Sequence, residues 1–187
     1  MNDLPDLALV AFRIDAEGDH PGGGHCVSLS RTEAEGTREL VEQYLAALRH
    51  LAERAAEEVD GGWALTRPLL FHAHHTAELA MKTALLECGV AFEARHGLEE
   101  LWAKIEAAGL DQSVSAVDTA WCRSLLALVA GAAGNSIGAR YARPNHGHVP
   151  VDDVWCCVSP IALFTATECF AIQCIAMSQA APELPTA

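Results

Sequence analysis

Two guanidinium and two imidazole groups fall within nine consecutive residues, Arg-Tyr-Ala-Arg-Pro-Asn-His-Gly-His at 140–148. Imidazole titrates near neutral pH, so His146 or His148 can take up or release a proton during a reaction. The planar forks of Arg140 and Arg143 suit charge building on phosphate oxygens, and Asn145 can add a hydrogen bond to the same group. Five residues separate Arg140 from His146 and four separate Arg143 from His148. This set fits cleavage of RNA, whose own 2′-OH supplies the nucleophile, so neither a metal nor a cofactor is required. The plain alternative is structural. Arg140 caps the carbonyls of a helix end, Tyr141 packs, and both histidines are ordinary loop residues.

A second group lies upstream. His72 and His75 stand at i, i+3, with Glu78 three residues further along the same face. Joined by His146 and His148 they would offer nitrogen and oxygen ligands to zinc or iron. The spacing is not His-Glu-x-x-His and no Cys-x-x-Cys supports it, so no metal is expected. These positions are expected on a polar helix surface. If they line a groove, His72, His75 and Glu78, with Tyr141 and Asn145, become ligand-binding contacts to a nucleotide. Glu78 and Lys82, at i, i+4, are expected to form a solvated surface pair. No Walker A or Gly-x-Gly-x-x-Gly occurs, and Pro21-Gly-Gly-Gly-His25 lacks the following helix that phosphate cradling needs.

Composition narrows the partners. A net charge of −13 disfavours a broad basic groove for nucleic acid, leaving only a local notch. The 187 residues suffice for one core without staples. No apolar run is read as reaching the roughly 18–20 residues that cross a bilayer, and the first residues lack a secretory leader. Seven cysteines, an odd number without a Cys-x-x-Cys pair, suit a reducing compartment, so a cytoplasmic protein with no membrane contact is expected.

The elements that must position these groups are mostly helical. Val10, Phe12 and Ile14, then Val27 and Leu29, alternate about a Gly-rich turn and predict a β-hairpin over residues 1–30. A capping box at Ser30 and Glu33 opens a first helix, with Leu40, Val41, Tyr44, Leu48, Leu51, Ala52, Ala55 and Val59 in its apolar stripe. Thr66-Arg67-Pro68 opens a second that ends at Gly89. A third spans about His96 to Ala108. A fourth runs from Asp111 to Ala133 through Val114, Val117, Trp121, Leu125, Leu128 and Val129. Ser159-Pro160 starts a last helix to about Met177. The four tryptophans, Trp63, Trp102, Trp121 and Trp155, are expected in the core or at a dimer contact. Residues 31–178 thus read as one bundle, with 179–187 as a disordered tail.

Within residues 71–105 the second helix carries Ala77-Glu78, Ala80, Lys82 and Ala84-Leu85-Leu86, followed after a short loop by His96-Gly97-Leu98-Glu99-Glu100-Leu101. Ala139-Arg140-Tyr141 follows downstream. This ordered set resembles the HEPN family (higher eukaryote and prokaryote nucleotide-binding domains) over about residues 66–178. The resemblance implies a mainly α fold, a bundle of four to five helices, to which the N-terminal β-hairpin is an addition.

Members of this family include metal-independent endoribonucleases that serve as toxins or defence effectors, built on Arg-x(4–6)-His and completed across a homodimer. Others bind nucleotides or partner a nucleotidyltransferase. The resemblance therefore implies catalytic roles for Arg140, Arg143, His146 and His148, and as partners RNA or a nucleotide, a second copy, a nucleotidyltransferase or an antitoxin. Tyr141 and Pro144 follow the two arginines where active members usually carry a small polar residue. Three readings stand: a metal-independent ribonuclease, a non-catalytic nucleotide-binding or interaction module, and a metal-dependent bundle enzyme.

Overall fold

The second helix of the chain is buried almost all round, and the bundle is organised about it. Six consecutive residues, Thr76 to Met81, are buried, which happens only when neighbours cover every face of a helix. The computed structural model describes residues 33–57, 62–92, 97–133 and 158–180, all within the unit Arg31–Ala187. Among the described residues there are five α-helices and no strand: α1 (Glu33–Glu57), α2 (Thr66–Glu87), α3 (Leu98–Ala107), α4 (Ala116–Ala133) and α5 (Pro160–Ala180). Short 3-10 helices at Gly62–Leu65 and Leu110–Ser113 precede α2 and α4. The expected hairpin at 1–30 lies outside the described residues.

All four other helices pack on α2. Its alanines at 73, 77, 80 and 84 are 0–2% exposed and recur every three to four residues, so neighbouring backbones approach closely. Around its C-terminal half, Met81 and Leu85 meet Leu98, Leu101, Trp102 and Ile105 of α3, Cys122 and Leu126 of α4, and Phe170 and Met177 of α5. At the other end, Leu69 and Ala73 join Leu48, Ala52 and Ala55 of α1. Helix α2 ends as its Gly89 requires, at φ 67°, a left-handed conformation that only glycine adopts without strain.

Several boundaries depart from expectation. Helix α3 is two residues shorter at its start, and His96 lies outside the described residues. The fourth helix is broken: a 3-10 turn occupies Leu110–Ser113 and α4 begins at Ala116. Ser115 accepts the Asp118 amide at 3.1 Å and donates to its carboxylate at 2.7 Å, a Ser-x-x-Asp capping box. Three residues expected to face inward from α4 face outward instead: Val117, Trp121 and Leu128 are 78%, 40% and 71% exposed. Helix α5 runs three residues past Met177, into the stretch assigned to a tail. Its 21 residues carry one charge, Glu168, and reach a mean hydropathy of 1.5, so one helix is long and apolar enough to cross a membrane, contrary to expectation. Its Thr167, Phe170, Ala171, Cys174 and Met177 are buried in the bundle.

Candidate functional site

The buried span of α2 also holds most of the chain's described polar chemistry. Glu78 is 1% exposed, and Lys82 one turn later donates to its Oε1 at 2.6 Å. On the other side of that carboxylate, Nδ1 of His75 lies 3.5 Å from Oε2. The solvated surface pair expected of Glu78 and Lys82 is therefore a buried one. The i, i+4 spacing gave the partners correctly but not their depth, because depth is set by the helices packed over α2.

His75 is clamped by rings. Phe71, one turn earlier, stacks on it at 5.7 Å with planes 12° apart, and Tyr44 of α1 meets it edge-on at 4.6 Å. Tyr44 also approaches His72 at 5.3 Å, and Phe71 lies edge-on to the same ring. His72, His75 and Glu78 are thus brought together on the side of α2 that faces α1. This is a correction to the exposed polar surface expected of them. Burial, and after it the neighbouring His75, pushes the His72 imidazole below its ordinary range, so this ring is neutral at neutral pH. Its Nδ1 is buried and finds no hydrogen-bond partner among the described residues. His74, by contrast, faces the core at 1% exposure.

The arrangement can orient one imidazole. The Glu78 carboxylate lies beside the His75 Nδ1 with no hydrogen bond between the two, so the ring's position is set by Tyr44 and Phe71. Lys82 offsets part of the carboxylate's charge in the core. Tyr44 and Phe71 are parts of this site that the sequence motifs did not assign. The signal for Phe71 was present in its i, i+4 spacing to His75. Tyr44 is the only aromatic residue of α1, but nothing in its spacing says which residue of α2 it meets.

Among the described residues no three of His, Cys, Asp and Glu gather as a metal would need. Arg140, Tyr141, Arg143, Asn145, His146 and His148 lie outside the described residues. The described thiols are free. Burial raises Cys122 to about 11 and Cys174 well above the usual thiol range, while Cys169 is exposed on α5.

Comparison with known proteins bears on the same span. No curated protein and no solved structure matches the chain. A family model described as HEPN domain matches residues 42–142, just over half of the chain. The match starts inside α1, two residues before Tyr44, so most of the first helix lies within the family span. It covers His72, His75, Glu78 and Lys82 and extends through Arg140 and Tyr141. On this match, with its motifs lying in order along a helical bundle, the chain belongs to the HEPN domain family.

Proposed function

We propose that the chain is a metal-independent endoribonuclease of the HEPN type, acting as a toxin or defence effector. Arg140 and Arg143 bind and neutralise the scissile phosphate, His146 or His148 exchanges protons with the 2′-OH and the leaving oxygen, and Asn145 and Tyr141 contact the nucleotide. His72 and His75 supply polar contacts from α2, with the buried Glu78 behind them. The observation that supports this most directly is the buried Glu78–Lys82 pair with His75 against it, inside the family span. Replacing a buried ion pair with apolar groups is often neutral or stabilising, so a charged cluster in the central helix is better explained by chemistry than by stability.

The test is cleavage of single-stranded RNA by the purified full chain in EDTA. Cutting is expected with the native chain and is lost with His146→Ala and His148→Ala together. Cutting that survives the double substitution overturns the assignment. A second reading has its own observation: the family match ends at residue 142, before both histidines of the Arg-x(4–6)-His motifs. A non-catalytic module binding a nucleotide or a nucleotidyltransferase then accounts for the fold, and saturable nucleotide or partner binding with no RNA turnover selects it.

A further inference from the structure

Two half-buried imidazoles, His72 and His75, stand one turn apart on α2 beneath a single side chain of α1. That side chain is Tyr44, whose ring lies 5.3 Å from one and 4.6 Å from the other. Phe71 completes the cluster from within α2, edge-on to His72 and stacked on His75. At this level the seam between α1 and α2 is filled by four rings, two of them imidazoles.

His72 suits this place only while it is neutral. In an imidazolium both ring nitrogens are donors, and the buried Nδ1 of His72 has no hydrogen-bond partner among the described residues. A proton on His72 therefore brings a charge and an unmet donor into the seam together. Among the described residues no carboxylate touches the ring to offset them. From α1 the facing group is Tyr44. From α2 the neighbours are Phe71 and His75, and Glu78 lies beyond His75, bonded to Lys82. The 3-10 turn Gly62–Leu65 carries no titratable side chain. At this end of α2, α5 and α4 contribute Leu163 and Ala132, which pack on Leu70. The ion-paired and hydrogen-bonded charges of α1 are turned elsewhere, Arg38 to Glu87, Arg49 to Glu168 and Glu39 to Gln43.

Helix α1 is the side of the seam that can give way. Helix α2 is held by all four other helices, whereas α1 packs chiefly on α2 and α5. On either side of Tyr44, α1 is tied by exposed ion pairs, Arg38–Glu87 at 2.7 Å and Arg49–Glu168 at 2.9 Å, and such pairs hold weakly in water. The element with fewest supports opens first in local unfolding.

We propose that the α1–α2 seam is a proton-operated latch: when His72 takes up a proton, Tyr44 and the middle of α1 lift from α2 while α2 to α5 stay assembled. Opening gives the ring nitrogens water and turns the His72/His75 face of α2 from a packed seam into an accessible one. The electrostatics agree in sign. Burial, with His75 second, holds the His72 imidazole below its ordinary range while α1 is seated, so the open form binds the proton more readily and acid favours it. One proton sets the size. A solvated imidazole titrates at about 6.5, so between pH 7.5 and 5.5 the open fraction rises about tenfold. The latch does not depend on the ribonuclease reading, and its test involves no RNA.

Amide hydrogen exchange of the full chain, resolved by peptide at pH 7.5 and 5.5 and corrected for the intrinsic rate, reads the latch directly. Residues 41–52 of α1 should lose protection about tenfold at the lower pH, while residues 76–85 of α2 change less than about twofold. His72→Leu and His72→Gln, neither of which can take up the proton, should each abolish the loss, so either one suffices if the other fails to fold. His50→Gln, at an exposed imidazole of α1 beside Glu53, should leave the loss intact. Equal protection of α1 at the two pH values overturns the proposal. So does a loss shared evenly by all five helices, which is global unfolding. A loss that survives substitution of His72, or that vanishes in His50→Gln, overturns the assignment to His72.

Discussion

Removing the Lys82 ammonium while keeping its stem, as Lys82→Met does, takes from the buried Glu78 carboxylate the cation bonded to its Oε1. Breaking a buried pair from one side costs about 3–5 kcal/mol. The Lys82 side chain retains 15% exposure, which lowers this to about 2–4 kcal/mol once solvent screening is allowed for. For a chain of this size that is a fall in Tm of about 5–15 °C. The reverse deletion should cost less. In Glu78→Leu the ammonium left behind can extend toward water, whereas the carboxylate at 1% exposure cannot. Glu78→Leu with Lys82→Met should recover much of the loss, because two apolar side chains of similar size replace the pair. Urea denaturation of the four proteins gives the coupling energy directly. If both single variants lose under about 0.5 kcal/mol, the range of a surface pair, or if Glu78→Leu is the worse of the two, the carboxylate is not buried as described.

Two other expectations follow from the same core. Burial, with His75 second, holds His72 below its usual value, so the unfolded chain binds that proton more readily. The stability this contributes is complete above about pH 6.5 and declines as pH falls through the unfolded value. His72→Gln should flatten that part of the stability profile, by less than about 1.4 kcal/mol per pH unit, and an unchanged slope would contradict the burial of His72. Among the described thiols, Cys169 should react first with a thiol reagent at neutral pH, with Cys122 and Cys174 labelled only on unfolding, as read by peptide mass spectrometry. Early labelling of Cys174 would contradict its burial.

Helix existence was largely legible because the signals are local. Thr66-Arg67-Pro68, Gly89 and Ser159-Pro160 each act on the backbone within one turn, and α2 and α5 begin or end there. The break before α4 was also written locally, in Ser115 and Asp118, but the apolar periodicity of 111–133 masked it. What could not be read was which face each helix turns inward. Val117, Trp121 and Leu128 lie on a stripe as regular as that of Leu125 and Val129. Only packing against α2 and α3 selects between them, and that information is non-local. The site behaves the same way. His72, His75 and Glu78 were placed correctly on one face, but their burial comes from α1, through Tyr44.

Sequence and structure together divide the chemistry between two places of different character. Helix α2 holds its imidazole, carboxylate and ammonium groups rigidly, each fixed by a ring or a charge one turn away. The Arg/His run at 140–148, outside the described residues, carries more groups suited to phosphate. The proposed ribonuclease would draw its accurate geometry from the helix, since helices hold side chains more rigidly than loops do. The cost of burying Glu78 makes sense in that light. An apolar residue at position 78 would pack at least as well against the surrounding core, but it would take from His75 the carboxylate that lies 3.5 Å from its Nδ1.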